Sequence, residues 1–554
     1  MKRFLSCLAV VMGGVTPAVT TLHAAGKDGG VSFLRAGDRW TMTGDSITHY
    51  DLYRQKVERL QRHFHPGVPV AITQAGVAGV GSGHQWEGVA AQATVVSIML
   101  GMNNYINSNV VYGVDTAPTL AAYRQDMEKQ IQEFRKGGAV VLLLSPTLTD
   151  PRFDHGLYEL RGGEVFLRAC AGILQELAAK SEGVYYIPVQ EEFEALQGQL
   201  GNYEILRLDG VHPTALGQYQ IARTLWEHLN LTAPMINEGP RSLATPPPPL
   251  PLPVVAALAK RMIQGRDDGI RLLFKAQAPQ TVTATWSAGD ARASEKLELP
   301  AGETAWQVPV PPAFLEMKPG QMRDVVVDLA AADGRRSIYF IDLACVPVLH
   351  AKDGKFAGTL TASQKRPEGD TVATWTAEIK DKGLYLAGEV FDNDLEGQEL
   401  WPWGRDGVGI WLDFRPGARF AGIGIDEDVS LSLLTVLDQP AFTCTLIPWV
   451  GRGMHLAADA GGERTATGYR WRLFVHRYFT KKQPVDVTQR DFLGFNVVVA
   501  DQDRNPNGTF TANYFQAHRP EDGAVDKHPN CLMLLDLKNQ IAADTVINVS
   551  LYGR

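Results

Sequence analysis

Cysteine is scarce in this chain, with five residues in 554. Apart from Cys7, they are Cys170, Cys345, Cys444 and Cys531, dispersed and without a Cys-x-x-Cys pair. That spacing argues against a disulfide scaffold and against a cysteine-ligated zinc site, leaving isolated thiols as the expectation. Basic charge is also short. Lys and Arg number 53 against 61 Asp and Glu, a formal net charge of -8, and no long basic run occurs. Nothing here favours a nucleic-acid partner. Beyond the first residues no stretch is long and apolar enough to read as a transmembrane segment.

What the N-terminus does have is a leader. Lys2 and Arg3 precede a mostly apolar run from Phe4 to Val19, and Leu22-His23-Ala24 supplies a cleavage-like context. Residues 1–25 therefore read as a signal peptide, and the expected location is periplasmic or secreted. Cys7 lies too early in the run for a convincing lipid-attachment site.

Residues 30–231 alternate between strand and helix patterns. Strands are expected at Trp40–Thr43, Val68–Thr73, Ala93–Leu100, Ala139–Leu144 and Val184–Pro188. Helices are expected at Asp51–His65, Leu120–Lys136, Glu164–Lys180 and Pro213–Asn230. Apolar strands alternating with helices predict a three-layer α/β/α domain around a parallel sheet. In such folds reactive groups collect at the carboxyl ends of the strands. A stiff spacer follows, since Pro246 to Pro253 holds six prolines in eight positions. Residues 240–265 are read as this linker plus a short helix from Val254 to Gln264. Two β-sandwich-like regions are expected next, a small one over 266–355 and a larger one over 360–554.

The chemistry concentrates in the first domain. Gly44-Asp45-Ser46 leaves a strand and enters a helix, where a serine on a tight turn can act as nucleophile. A serine needs an imidazole base, and the base needs an acid behind it. Asp209-Gly210-Val211-His212-Pro213 supplies both three residues apart, just before the last helix. Gly79 offers an unencumbered backbone N–H and Asn103 a side-chain amide, so with the Ser46 N–H three donors are available for an oxyanion. The reaction calls for no cofactor. His49, His84 and His155 have no metal-ligand spacing, and no metal site is expected.

These blocks make the domain resemble the SGNH hydrolases, also called GDSL-like lipase/esterases. The resemblance rests on Gly44-Asp45-Ser46, Gln74 to Gly79, Gly101-Met102-Asn103-Asn104 and Asp209-Gly-Val-His212-Pro, in that order over 30–231. It implies a Ser46–His212–Asp209 triad and an oxyanion hole of Ser46, Gly79 and Asn103. Two positions depart from the family pattern: Gln74 stands where Asn is usual, and Asn104 where Asp is usual. Both bear on loop bracing and pocket shape, not on the triad.

The last region pairs aromatic and acidic residues: Phe391-Asp392-Asn393-Asp394, Trp401-Pro402-Trp403, Asp406 to Asp413, and Asp491 to Asp503 around Gly494-Phe495-Asn496. Flat aromatic faces beside carboxylates suit sugar rings, while core tryptophans next to acidic turns give the same pattern. The region resembles carbohydrate-binding modules of family 9, which makes Trp401 and Trp403 the sugar-binding candidates. Carboxylates at Asp392, Asp394, Asp501 and Asp503 also offer oxygen ligands of the kind calcium takes. An esterase joined to such a module implies an acylated carbohydrate as substrate and acetyl removal as the reaction. A lipid or small-ester hydrolase with the same triad, and a non-catalytic carbohydrate-binding protein, remain open alternatives.

Overall fold

The computed structural model describes residues 30–107, 115–150, 160–200, 205–206, 210–246, 254–257, 261–263, 269–361, 371–392, 407–413, 430–438, 443–450, 457–479, 484–504, 510–516, 532–542 and 544–553. Residues 1–25, expected as a signal peptide, and Asp209, His155, Asp394, Trp401 and Trp403 lie outside the described residues, as do the side chains of Asp501 and Asp503.

The first domain comprises β1 (Arg39–Gly44), α1 (Ser46–His49), α2 (Leu52–Phe64), β2 (Ala71–Gln74), α3 (Val89–Gln92), β3 (Val95–Met99), α4 (Met102–Ile106), α5 (Ala117–Lys136), β4 (Val140–Leu144), α6 (Gly163–Lys180), β5 (Val184–Ile187), α7 (Val189–Leu200) and α8 (Ala215–His228). The five strands form a sheet in the order β2-β1-β3-β4-β5, and every pairing is parallel. Strand β3 is buried along its whole length, as a central strand covered on both faces must be. Helix α2 packs on α8, and α5 on α6 against β4, so helices cover the sheet. The expected α/β/α class is the one found, and each expected strand and helix has its counterpart. Helix α7 was not anticipated, because it follows β5 after a single proline and its mixed Glu/Gln face blurs the period.

The order reverses direction between β1 and β3. That leaves a crevice at the strands' carboxyl ends, where a doubly wound sheet holds its ligands. The segments that leave β1, β2 and β3 carry Ser46, Gly79 and Asn103 respectively.

The middle region contains β6 (Val254–Ala257), β7 (Arg261–Ile263), β8 (Arg271–Ala276), β9 (Gln280–Ala288), β10 (Ala291–Leu299), β11 (Gly302–Gln307), α9 (Pro312–Leu315), β12 (Met322–Ala331) and β13 (Arg336–His350). The helix expected over 254–264 is not present. Val254–Ala257 is a strand paired with β8, and Arg261–Ile263 a strand paired with the last strand of the chain. Partner strands, β8 nearby in sequence and the last strand far from it, override the weak local helix signal.

The last region runs through β14 (Lys355–Thr361), β15 (Thr371–Lys380), β16 (Gly383–Phe391), β17 (Gly407–Asp413), β18 (Ser430–Asp438), β19 (Thr443–Val450), β20 (Ala457–Thr465), β21 (Gly468–Phe479), β22 (Pro484–Val485), β23 (Phe492–Arg504), β24 (Phe510–Gln516), β25 (Met533–Asp536) and β26 (Thr545–Gly553). Two sheets, one running β25-β23-β17-β18-β19 and one β14-β15-β16-β21-β20, share an apolar core of residues such as Trp375, Leu386, Ile410, Trp471 and Phe495. Trp375, Trp411 and Trp471 are buried, the core alternative for those tryptophans.

The expected boundary at 355–360 needs one correction. Strand β26 does not belong to the last sandwich. It pairs antiparallel with β13 from Tyr339↔Gly553 to Pro347↔Thr545, and its Ile547 and Val549 enter the core of the middle sandwich. The larger sandwich is thus an insertion between β13 and β26. Alternation within β26 could not reveal this, since it fits either sheet equally well. Two of the isolated thiols, Cys170 and Cys345, are free and buried.

Candidate active site

Ser46 is the first residue of α1. Its position depends on Gly44, where a Cβ would sit 2.7 Å from the Met99 carbonyl oxygen and collide with the Thr48 side chain. Only glycine lets β1 turn so closely past β3. Asp45 caps the turn, its Oδ1 accepting from the Ile47 N–H at 2.9 Å. Burial pushes the Asp45 carboxyl up to about 6, and the Ile47 N–H and the nearby His212 pull the other way. Thr48 receives the buried Tyr53 hydroxyl at 3.0 Å, which ties α1 to α2.

His212 arrives on a loop pinned from both sides. The Asp150 N–H bonds the Gly210 carbonyl at 2.9 Å, and the Thr214 N–H bonds the Ile205 carbonyl at 2.9 Å. Thr214 then caps α8, its Oγ1 accepting from the Gly217 N–H at 3.2 Å. The result is the decisive contact: Ser46 Oγ and His212 Nε2 lie 2.8 Å apart. Both residues are half-buried, open enough for a substrate to reach. The Tyr50 ring meets the His212 ring edge-on, with centroids 5.2 Å apart.

The residues expected as oxyanion donors besides Ser46 lie on the segments after β2 and β3. Gly79 has φ +80°, a left-handed conformation that favours glycine, and the space where a Cβ would stand is open. Asn103 is nearly buried, and its Nδ2 donates to the Val80 carbonyl at 3.0 Å. That bond joins the Asn103 side chain to the residue after Gly79. An amide nitrogen carries two hydrogens, so one engaged with Val80 leaves a second for chemistry. Asn107 Nδ2 donates to the Gly79 carbonyl at 3.3 Å and holds the loop from its other side.

The two departures from the family pattern act in this bracing. Gln74 Nε2 donates to the Gly76 carbonyl at 3.2 Å, beneath the loop that leads to Gly79. Asn104 Oδ1 accepts from the Ser82 N–H at 2.9 Å, and its Nδ2 donates to Ser82 Oγ at 2.7 Å. The Ser82 hydroxyl donates onward to Asp126 on α5 at 2.9 Å. An aspartate at 104 could not donate to Ser82 and would add a carboxylate near Asp126. His49 bonds the Gly76 carbonyl at 3.2 Å, and His84 packs edge-on against Trp86 with centroids 4.5 Å apart. Among the described residues no group of three His, Cys, Asp or Glu side chains could hold a metal ion.

The structure therefore brings Ser46 and His212 together and links the Asn103 side chain to the Gly79 loop. Sequence reasoning overlooked Gln218, a buried amide that bridges the elements carrying Ser46 and His212. Its side chain reaches the Ile47 carbonyl at 3.2 Å and the Tyr53 N–H at 3.3 Å. No local pattern marks such a residue, because its partners lie more than 160 positions away in the chain.

Residues 42–219 match the model of the GDSL-like Lipase/Acylhydrolase family. Among solved structures, acetylxylan esterase Axe2 from Geobacillus stearothermophilus aligns at 20% identity over 35% of this chain and 95% of that one, with a TM-score of 0.30. The acetyl xylan esterase AlAXEase aligns at 19% identity over 34% of this chain and 98% of that one, with a TM-score of 0.29. A family 9 carbohydrate-binding module from Caldicellulosiruptor kristjanssonii, solved with cellotriose, aligns at 19% identity over 33% of this chain and 84% of that one, with a TM-score of 0.26. No curated protein matches the chain.

Proposed function

We propose that this chain is an exported serine esterase that removes acetyl groups from a carbohydrate. The observation that carries the reading is the 2.8 Å contact between Ser46 Oγ and His212 Nε2 at the carboxyl end of a parallel sheet. His212 takes the Ser46 proton as the oxygen attacks the ester carbonyl. The tetrahedral oxyanion is held by the Ser46 and Gly79 N–H groups and the Asn103 amide. His212 returns the proton to the leaving alcohol, and water then hydrolyses the acyl-enzyme with His212 again as base. Asp209 is assigned as the acid that fixes the His212 tautomer, from its place three residues before it.

The GDSL-type domain supports ester hydrolysis. Carbohydrate as the substrate class is supported by the Asp- and Trp-rich sequence pattern of the β-rich region. Export rests on the leader pattern at residues 1–25. The test is acetate release from acetylated xylan, run beside short- and long-chain aryl esters. Acetate release that is lost in Ser46→Ala is the expected result. Turnover of long-chain esters alone would replace the carbohydrate reading with a lipid one, and equal turnover by parent and variant would remove Ser46 from the mechanism.

A further inference from the structure

The two helices that follow the catalytic residues are the ones that dock on the middle sandwich. Helix α2 comes directly after the Ser46 turn, and α8 directly after the His212 loop. On α2, Lys56 pairs with Asp342 of β13, Arg59 with Asp324 of β12, and His63 Nδ1 meets Ser287 Oγ of β9 at 2.7 Å. On α8, the Tyr219 hydroxyl donates to the Ile338 carbonyl at 3.0 Å, and its ring packs against Phe340 and Tyr552. Val326, Ile338, Phe340 and Tyr552 belong to the same apolar core as the hydrolase sheet. The middle sandwich thus holds both helices from outside.

Gln218 links them from inside. It is 2% exposed, donates through Nε2 to the Ile47 carbonyl at 3.2 Å, and accepts through Oε1 from the Tyr53 N–H at 3.3 Å. Ile47 follows Ser46 in the chain, and Tyr53 is the second residue of α2. At Gly217 a Cβ would lie 2.8 Å from that of Pro213 and strike the Ile205 carbonyl, so the start of α8 is seated tightly beside the His212 loop. A shift of α8 relative to α1 would therefore move His212 Nε2 relative to Ser46 Oγ, whose reactivity needs a hydrogen-bonding distance.

We propose that Gln218 and Tyr219 form a positioning pair, with Tyr219 fixing α8 to the middle sandwich while Gln218 fixes it to the Ser46 turn, so that the sandwich sets the Ser46–His212 alignment. This rests on the serine-hydrolase reading and goes beyond it, because it makes residues outside the hydrolase domain part of the machinery that aligns the dyad. Both residues are buried, so each acts by positioning.

The test uses the full chain, 4-nitrophenyl acetate as substrate and a fluorophosphonate as probe of Ser46 nucleophilicity. Gln218→Met removes both bonds at similar volume. Gln218→Glu retains the acceptor for Tyr53 and loses the donor to Ile47. Tyr219→Phe removes only the bond to Ile338. Misalignment of reacting groups by an ångström costs up to about 100-fold, and a partial loss of about tenfold in kcat is expected for Gln218→Met. Gln218→Glu and Tyr219→Phe should each lose about threefold, with KM within about twofold and labelling slowed in parallel with kcat. If Gln218→Met does not fold, the other two variants carry the test. Unchanged kcat and labelling in folded variants would overturn the proposal, as would a loss confined to KM or to melting temperature. Failure of the parent chain to label or to hydrolyse any ester would sink the serine-hydrolase reading and this proposal with it, an outcome distinct from unchanged variants of an active parent.

Discussion

The two β sandwiches have different relations to the catalytic domain. The middle sandwich meets α2 and α8 through a continuous apolar core, the buried Lys56–Asp342 pair and the Tyr219–Ile338 bond. The larger sandwich joins the middle one where the tip of β13, Val348 to His350, pairs with Leu534 to Asp536 of β25. A small apolar cluster of Ala344, Val346, Val348, Leu534, Ile541 and Val546 lies at that junction. Attachment through shared core makes a module part of its neighbour's fold, whereas attachment at a strand tip leaves it a separate unit. The α/β domain and the middle sandwich therefore pack as one unit, and the larger sandwich is inserted into it.

The largest loss is expected when the chemistry is removed and neither sandwich is touched. Ser46→Ala should reduce turnover of acetylated xylan and of an aryl acetate alike by more than about 10³-fold. Excising the larger sandwich should separate the two substrates. Because Pro347 pairs with Thr545, residues 349–543 can be replaced by an Asn-Gly turn that closes β13 and β26 into a hairpin. Aryl acetate turnover should stay within about twofold of the parent while polymer deacetylation falls, about tenfold if tethering supplies local concentration. Equal losses on both substrates would break the distinction between the two sandwiches.

Truncation before residue 360 should behave quite differently from that excision, because it also removes β26. Val546, Ile547, Val549 and Tyr552 are buried there, each worth about 1.5–3 kcal/mol of burial. The truncated chain should lose its cooperative thermal transition in a calorimetric scan, where the hairpin version keeps it. If both melt alike, β26 is dispensable and the middle sandwich is not part of the catalytic unit.

The docking interface should also be sensitive to acid. His63 is buried between α2 and the middle sandwich, and burial, reinforced by Arg292 and Arg336, lowers its imidazole from the ordinary 6.5 to about 3. A lowered folded value means that the unfolded chain binds the proton first. Its stabilising effect is therefore complete above about pH 6.5 and declines as pH falls toward 3. At pH 5 the loss is about 2 kcal/mol. His63→Gln should flatten the pH dependence of denaturant unfolding between pH 7 and 5, and an unchanged slope would exclude His63 as its source.

The smallest effect is expected at a loop brace inside the α/β domain. Asn104→Asp loses the bond donated to Ser82 Oγ and places a carboxylate near Asp126, so stability should fall by about 1–2 kcal/mol in urea unfolding at pH 8. A stable, fully active variant would show that Asn104 has no bracing role.

The regions also differ in how far they could be read from sequence. In the α/β domain the apolar strands, the helix periods and the Gly44, Gly79 and Gly101 turns reflect local requirements, so the parallel sheet and the Ser46, Gly79, Asn103 and His212 positions were legible. The β half was legible as strands but not in its pairing. An alternating strand such as β26 fits many partners, and the choice of β13 depends on a chain that returns some two hundred residues later. The same applies to Arg261–Ile263, where a local pattern favours helix but the hydrogen bonds come from β26 near the other end of the chain.

The class of sheet and the order of the candidate groups along it were set by residue chemistry and short-range periodicity, which the sequence carries. The 2.8 Å approach of Ser46 Oγ to His212 Nε2, the Gln218 bridge from α8 to α1 and α2, and the completion of the middle sandwich by the last strand arise only in the folded chain. Each of those depends on contacts between segments far apart in the chain, where burial and hydrogen-bond satisfaction, not local propensity, select the partner.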